Sequence, residues 1–276
     1  GWPTNYDFWP PGVEIIELDT NGTGLMTDVQ LRQALLVDHP DIKAVLLNDP
    51  CNPTGARYKP EEREAVMEML NNARARGQKI LAIMDDPYGA LTYGGATMKR
   101  GPQETELFNA GGLVVVNSVS KVYARPDLRV GYAVSKNEKL IKQLVTYNGT
   151  VGTSAPVEEQ NKAQLLLLFG EKFKEETKAR LEKRAQVLAE EMKKIGLSMG
   201  QPQGAIYGWI DCSTLRNATY LDPDGKPFTI EKPADVARFM RDMAFVAPVD
   251  GSPFYAPRTK PADVEAFKDK GWFVRV

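Results

Sequence analysis

Three apolar runs of strand length each end in a polar or glycine-bearing cluster, and helix-length stretches separate them. Ala44–Leu47 leads to Asn52-Pro53-Thr54-Gly55, Lys79–Met84 to Asp85–Tyr88, and Leu113–Val116 to Ser118–Lys121. Strands alternating with helices at this spacing predict an α/β fold, mainly a parallel sheet with flanking helices. Ligands of such sheets gather at the C-terminal ends of the strands, so the three clusters fall where a site belongs. Val13–Leu18 and Val130–Val134 read as further strands. Thr27 is a candidate N-cap for a helix whose apolar face carries Leu31, Ala34 and Leu35. Pro60, Glu61 and Glu62 open a second helix that runs to about Gly77, with proline and acids in the turn where the helix dipole favours them.

The pattern changes near Glu158. A helical stretch runs to Ile195 with a break near Gly170; Phe173, Leu181, Leu188, Met192 and Ile195 form its apolar stripe beneath a solvated face of mixed charge. Ala205–Asp211, a helix in Pro233–Met243, Phe245–Val249 and a final strand predict a smaller α+β domain, with Tyr220–Pro227 as a surface loop. The expected division is 1–157 and 158–276. The first residues, Gly1 to Tyr6, are aromatic and turn-rich, and the last, Gly271 to Val276, read as a buried strand. Both suggest an internal piece of a longer protein, incomplete on the N-terminal side of the large domain and the C-terminal side of the small one.

Charge and residue counts remove whole classes of chemistry. Lys+Arg is 35 and Asp+Glu is 36, so no basic excess exists to replace the counterions of a nucleic acid. The apolar runs are too short to cross a bilayer. Cys51 and Cys212 are the only cysteines and can build neither a disulfide framework nor a thiolate metal site; a reduced, cytoplasmic setting and no metal follow as expectations. The one histidine, His39, sits in Asp38-His39-Pro40, which reads as a solvated loop. Catalysis by this chain therefore needs lysine, carboxylates, tyrosine or a cofactor to move protons.

The order Asn-Pro-Thr-Gly, Asp-x-x-Tyr, then Ser-x-Ser-Lys with an arginine eight residues beyond the lysine resembles the fold-type I pyridoxal-phosphate enzymes, specifically the class I/II aminotransferases. The likeness runs from Trp2 to Arg275. It implies transamination between an amino acid and a 2-oxo acid, with pyridoxal 5'-phosphate as the electron sink. By that resemblance Lys121 matches the lysine that forms the internal aldimine and then carries the proton. Asp85 matches the carboxylate that keeps the pyridine nitrogen protonated. Tyr88 and Asn52 match the groups that hydrogen-bond the phenolic oxygen. Ser118, Ser120 and Arg129 fall in the phosphate-binding segment, where the planar fork of arginine suits phosphate oxygens. Trp2, or else Tyr6, occupies the place of the aromatic stacked on the ring. Arg275, with Asn52, matches the group that grips the substrate α-carboxylate; Arg258 competes with Arg275 in the same region.

The sequence departs from the family pattern at Asp127, where glycine is common, and at Arg125, which is usually apolar. Asp127 tolerates a left-handed backbone but sets a negative charge near the phosphate segment. The resemblance also places the family's phosphate cup and two sheet strands upstream of Trp2. This piece alone is therefore expected to bind cofactor poorly, while the full-length protein is expected to be a homodimer. Tyr147–Pro156, the stretch that carries an arginine in one dicarboxylate-specific subgroup, has none, which counts against a dedicated aspartate enzyme of that type. A C–S lyase or decarboxylase on the same scaffold, and a truncated non-catalytic homologue, are the competing readings. A nicotinamide enzyme is disfavoured because no Gly-x-Gly-x-x-Gly follows a strand.

Overall fold

A computed structural model describes residues 12–20, 22–94, 105–152, 154–254 and 271–276. Thr27 caps α1 (Asp28–Gln33): its Oγ1 accepts from the Gln30 N–H at 3.1 Å, and the Gln30 side chain accepts from the Thr27 N–H at 2.9 Å. A π-helical turn, Ala34–Asp38, follows and ends at His39. β1 (Ala44–Asn48) then leads through the Asn52–Gly55 turn into α2 (Pro60–Ala75). Pro60 is the first helical residue of α2, and the Glu62 carboxylate reaches back to the Lys59 N–H at 2.9 Å. Next come β2 (Leu81–Asp85), α3 (Glu106–Asn109), β3 (Leu113–Ser118), α4 (Val119–Val122) and β4 (Gly131–Ser135).

These strands form one sheet in the order β1-β2-β3-β4, parallel except for β4, which runs antiparallel to β3. Asn48 pairs with Asp85, so the polar ends of β1 and β2 lie level, and Asp85 pairs with Val116, so β3 runs two residues further, to Ser118. α1, the π-helical turn after it and α2 bury Leu31, Leu35, Val66 and Leu70 against Val45, Leu47, Ala82, Met84, Leu113 and Val115. Each such side chain taken from water contributes roughly 1.5–3 kcal/mol, which fixes the sheet and hence its edge.

Val13–Leu18 is not a strand. It has no ladder partner among the described residues; together with residues of β1 it lines a cavity of about 1340 Å³. Its apolar pattern is compatible with pairing but supplies no neighbour for its N–H and C=O groups. The helix α5 (Glu138–Val151) has no counterpart in the sequence reading, and none of its residues is buried.

The helical stretch is two elements, α6 (Val157–Phe169) and α7 (Glu171–Lys194), broken at Gly170 as expected. Its stripe does not face one core. Leu181 packs with Val119, Val122 and Tyr123, whereas Met192 packs with Ile210 and Trp272; Phe173 and Ile195 are exposed. A helix of 24 residues is about 36 Å long and outruns any single cluster.

A second, antiparallel sheet follows in the order β5 (Ser198–Met199), β6 (Trp209–Asp211), β10 (Phe273–Arg275), β9 (Val249–Asp250). α8 (Pro233–Ala244) covers it through Val236. Only the last residues of Ala205–Asp211 and Phe245–Val249 pair. Ala205 and Phe245 have positive φ (63° and 54°), which strands exclude. Tyr220–Pro227 is not simply a loop: β7 (Thr219–Leu221) and β8 (Pro227–Thr229) form a hairpin around 222–226.

Candidate active site

The turn after β1 is pinned from two sides. The Asn52 N–H donates to the Asn48 side chain, and Arg275 Nη1, from the last strand of the second sheet, donates to Asn52 Oδ1 at 3.0 Å. The segment before β6 packs on the same turn: the Gln203 N–H donates to the Gly55 carbonyl, and the Tyr93 N–H to the Gln203 carbonyl. Gly55 has φ +68°, and a Cβ there would lie 2.9 Å from Pro202 Cβ, so only glycine fits this crossing. The close approach brings the sequence-distant Arg275 to Asn52.

Arg275 also lies over the Tyr207 ring at 4.6 Å and the Phe254 ring at 5.2 Å. Burial lowers its pKa from the ordinary value, opposed by the Tyr207 and Tyr88 phenols; arginine keeps its charge all the same. Tyr207 reaches across to Tyr88. The two hydroxyls share a short hydrogen bond, and the rings meet edge-on with centroids 5.6 Å apart. Burial above all, then this bond and the Asp85 charge, push the Tyr88 phenol up. Tyr88, Tyr207, Arg275 and Asn52 therefore form one connected set drawn from both sheets.

Asp85 ends β2 beside the large cavity, and burial raises its carboxyl above the ordinary value. Behind it lies a second acidic group. Asp49 is buried, with its carboxyl raised to about 6 by burial against the opposing pull of Arg63, whose Nη1 is 4.0 Å from Asp49 Oδ2. Asp86 is raised to about 7 by burial and the neighbouring Asp49. Asn117 Nδ2 donates to Asp86 at 3.4 Å.

Ser118 N-caps α4, its Oγ accepting from the Ser120 N–H at 3.3 Å. Lys121 follows in the last turn of α4, directly after β3, and is half-buried. Arg129 is exposed, left-handed at φ 55°, and donates from Nη1 to the Pro126 carbonyl at 3.1 Å. The left-handed residue is thus Arg129 rather than Asp127. Pro126 starts a 3-10 turn, Pro126–Leu128, that keeps Asp127 right-handed. The two departures from the family pattern also meet each other: Arg125 holds the Asp127 carboxylate through Nε at 2.9 Å and Nη2 at 2.7 Å. The negative charge expected near the phosphate segment is therefore paired. Trp2, Tyr6 and Arg258 lie outside the described residues.

Sequence reasoning missed Asn48 and Tyr207. Asn48 carried a weak signal, a polar residue closing an apolar run. Tyr207 carried none, because its partners are 119 positions upstream and in the final strand.

A family model for aminotransferases of class I and II matches residues 13–263, and the chain belongs to that family. Aspartate aminotransferase of Rhizobium meliloti is 29% identical over 242 residues, which are 87% of this chain and 56% of that protein. The crystal structure of the aspartate aminotransferase from Rhizobium meliloti superposes with a TM-score of 0.72 at 27% identity, covering 94% of this chain and 64% of that one. Cystalysin from Treponema denticola, whose structure contains pyridoxal 5'-phosphate, shares the fold with a TM-score of 0.66 at 15% identity, covering 85% of this chain and 52% of that one. The chain spans about half the length of the curated relatives it matches. The fold is that of the pyridoxal-phosphate-dependent transferases, and the family's cofactor is pyridoxal phosphate. The donor set at the sheet edge fits that group: a carboxylate, a phenol, a carboxamide, a lysine amine and a serine hydroxyl come from successive strand ends. No helix among the described residues is long and apolar enough to cross a membrane.

Proposed function

We propose that this chain carries the transamination site of an enzyme that passes an amino group between an amino acid and a 2-oxo acid. The observation that supports this most is the bond between Arg275 and Asn52, which brings a guanidinium, a group suited to gripping a carboxylate, against the strand-end cluster of a class I and II aminotransferase. When bound, pyridoxal phosphate supplies an electron sink for the carbanion formed at the amino acid's Cα. Lys121 holds the cofactor, and its freed amine removes and returns the Cα proton. Asp85 faces the ring nitrogen as an anion, so that nitrogen stays protonated. Tyr88 and Asn52 donate to the phenolic oxygen; Ser118, Ser120 and Arg129 take the phosphate, for which Arg129 must leave the Pro126 carbonyl. Arg275 and Asn52 orient the substrate α-carboxylate. The relatives' names make aspartate the donor to try first.

The large unit of this reading spans 1–157 and the small one 158–276. The whole protein is a cytoplasmic homodimer that acts on amino and 2-oxo acids. Incubating the chain with pyridoxal phosphate, L-aspartate and 2-oxoglutarate, and measuring glutamate, tests the reading. With excess cofactor, a low yield of glutamate that depends on Lys121 is expected from this chain, and a larger one from the full-length protein. Cofactor turnover unchanged in Lys121→Ala overturns the assignment.

A further inference from the structure

We propose that Asn48 is a positioning residue whose one carboxamide sets Asn52 and Asp85 relative to each other; the proposal rests on the functional reading above. Asn48 closes β1 and stands level with Asp85 in the parallel register. Its Oδ1 accepts from the Asn52 N–H at 2.7 Å. Its Nδ2 donates to the Asp85 carbonyl at 2.9 Å and reaches Asp85 Oδ2 at 3.4 Å. Two cofactor contacts that leave different strands are thereby tied through a single side chain.

The chemistry selects this residue type. A carboxamide has an acceptor and two donors on one short stem, and all are needed here. Aspartate keeps the acceptor for Asn52 but has no donor for Asp85. Alanine keeps neither. Glutamine adds a methylene and shifts both bonds along the strand. The backbone of Asn52 is held by Asn48 while its side chain is held by Arg275, so Asn52 has two independent anchors. A donor aimed at the Asp85 carboxylate favours the anion against the burial that opposes it.

Asn48→Asp and Asn48→Ala separate the two bonds. Hydrogen exchange of the Asn52 amide, in the chain without cofactor, should stay slow in Asn48→Asp and become fast in Asn48→Ala. Pyridoxal-phosphate affinity should fall roughly 10- to 100-fold in both, the range expected for losing a hydrogen bond to a charged group. At saturating cofactor and fixed pH, the ratio of the bound cofactor's absorbance bands should move most in Asn48→Asp, where a second carboxylate faces Asp85. A merely structural role would lower thermal stability without moving that ratio. Unchanged Asn52 exchange in Asn48→Ala, or unchanged affinity and bands in Asn48→Asp, overturns the proposal. A full-length protein that binds no pyridoxal phosphate overturns the functional reading instead, and Asn52 exchange then decides whether Asn48 holds the turn.

Discussion

Replacing Arg63 with methionine tests the charge arrangement that underlies the site. Arg63 projects from α2 onto Asp49, which lies between Asn48 and the Asn52 turn, and both side chains are nearly buried, at 11% and 4% exposure. At 4.0 Å and an effective dielectric constant of about 20, the pair interacts by about 4 kcal/mol. Breaking such a pair from one side costs about 3–5 kcal/mol, because the remaining charge stays buried. The cost must depend on pH. The Asp49 carboxyl is already raised from 3.8 to about 6 in the folded protein, and losing Arg63 lifts it further. A carboxyl whose folded pKa exceeds its unfolded one binds more protons in the folded state, so stability falls as pH rises between the two values. Arg63→Met should therefore cost most of that energy at pH about 8 and clearly less at pH about 5, where Asp49 takes a proton. Urea unfolding followed by tryptophan fluorescence at the two pH values measures the difference. An equal loss at both would refute the reasoning, because it would mean that Arg63 compensates neither Asp49 nor Asp86, the two raised carboxyls whose charge it favours.

Three further outcomes follow from contacts at or near the site. Tyr207→Phe removes the Tyr88 partner while keeping the ring under Arg275; the Tyr88 phenol should titrate at lower pH, read by ultraviolet difference spectroscopy, with little change in melting temperature. Gly55→Ala should destabilise by roughly 1–3 kcal/mol in denaturant titrations, since the new Cβ meets Pro202 at positive φ. Leu70→Ala, in the fully buried seam between α2 and the sheet, should cost about 2–5 kcal/mol by the same assay.

Much of the candidate site's framework was legible because strand ends announce themselves. An apolar run that stops at Asp85 or Ser118 fixes both a strand and the residue at its edge, and the order of the runs fixes which edges adjoin. The N-cap Thr27 and the helix-opening Pro60 were legible for a similar reason, since their roles are local. What the sequence hid is what depends on a partner. Val13–Leu18 has a strand's pattern but no neighbour in the described sheet, and 219–229 has turn residues that say nothing about whether their flanks pair. Tyr207 and Asn48 act through distant or backbone partners, so no spacing marks them. Asp127 and Arg125 each looked like a departure when read alone; side by side in space they neutralise each other.

In the proposed function Lys121 takes the cofactor. The direct measurement is borohydride trapping of the chain with excess pyridoxal phosphate, followed by peptide mass spectrometry. One phosphopyridoxyl group on Lys121, absent in Lys121→Ala and reduced by Asp85→Asn, is the predicted result. Label spread over exposed lysines such as Lys172 and Lys194, unaffected by either substitution, would contradict it.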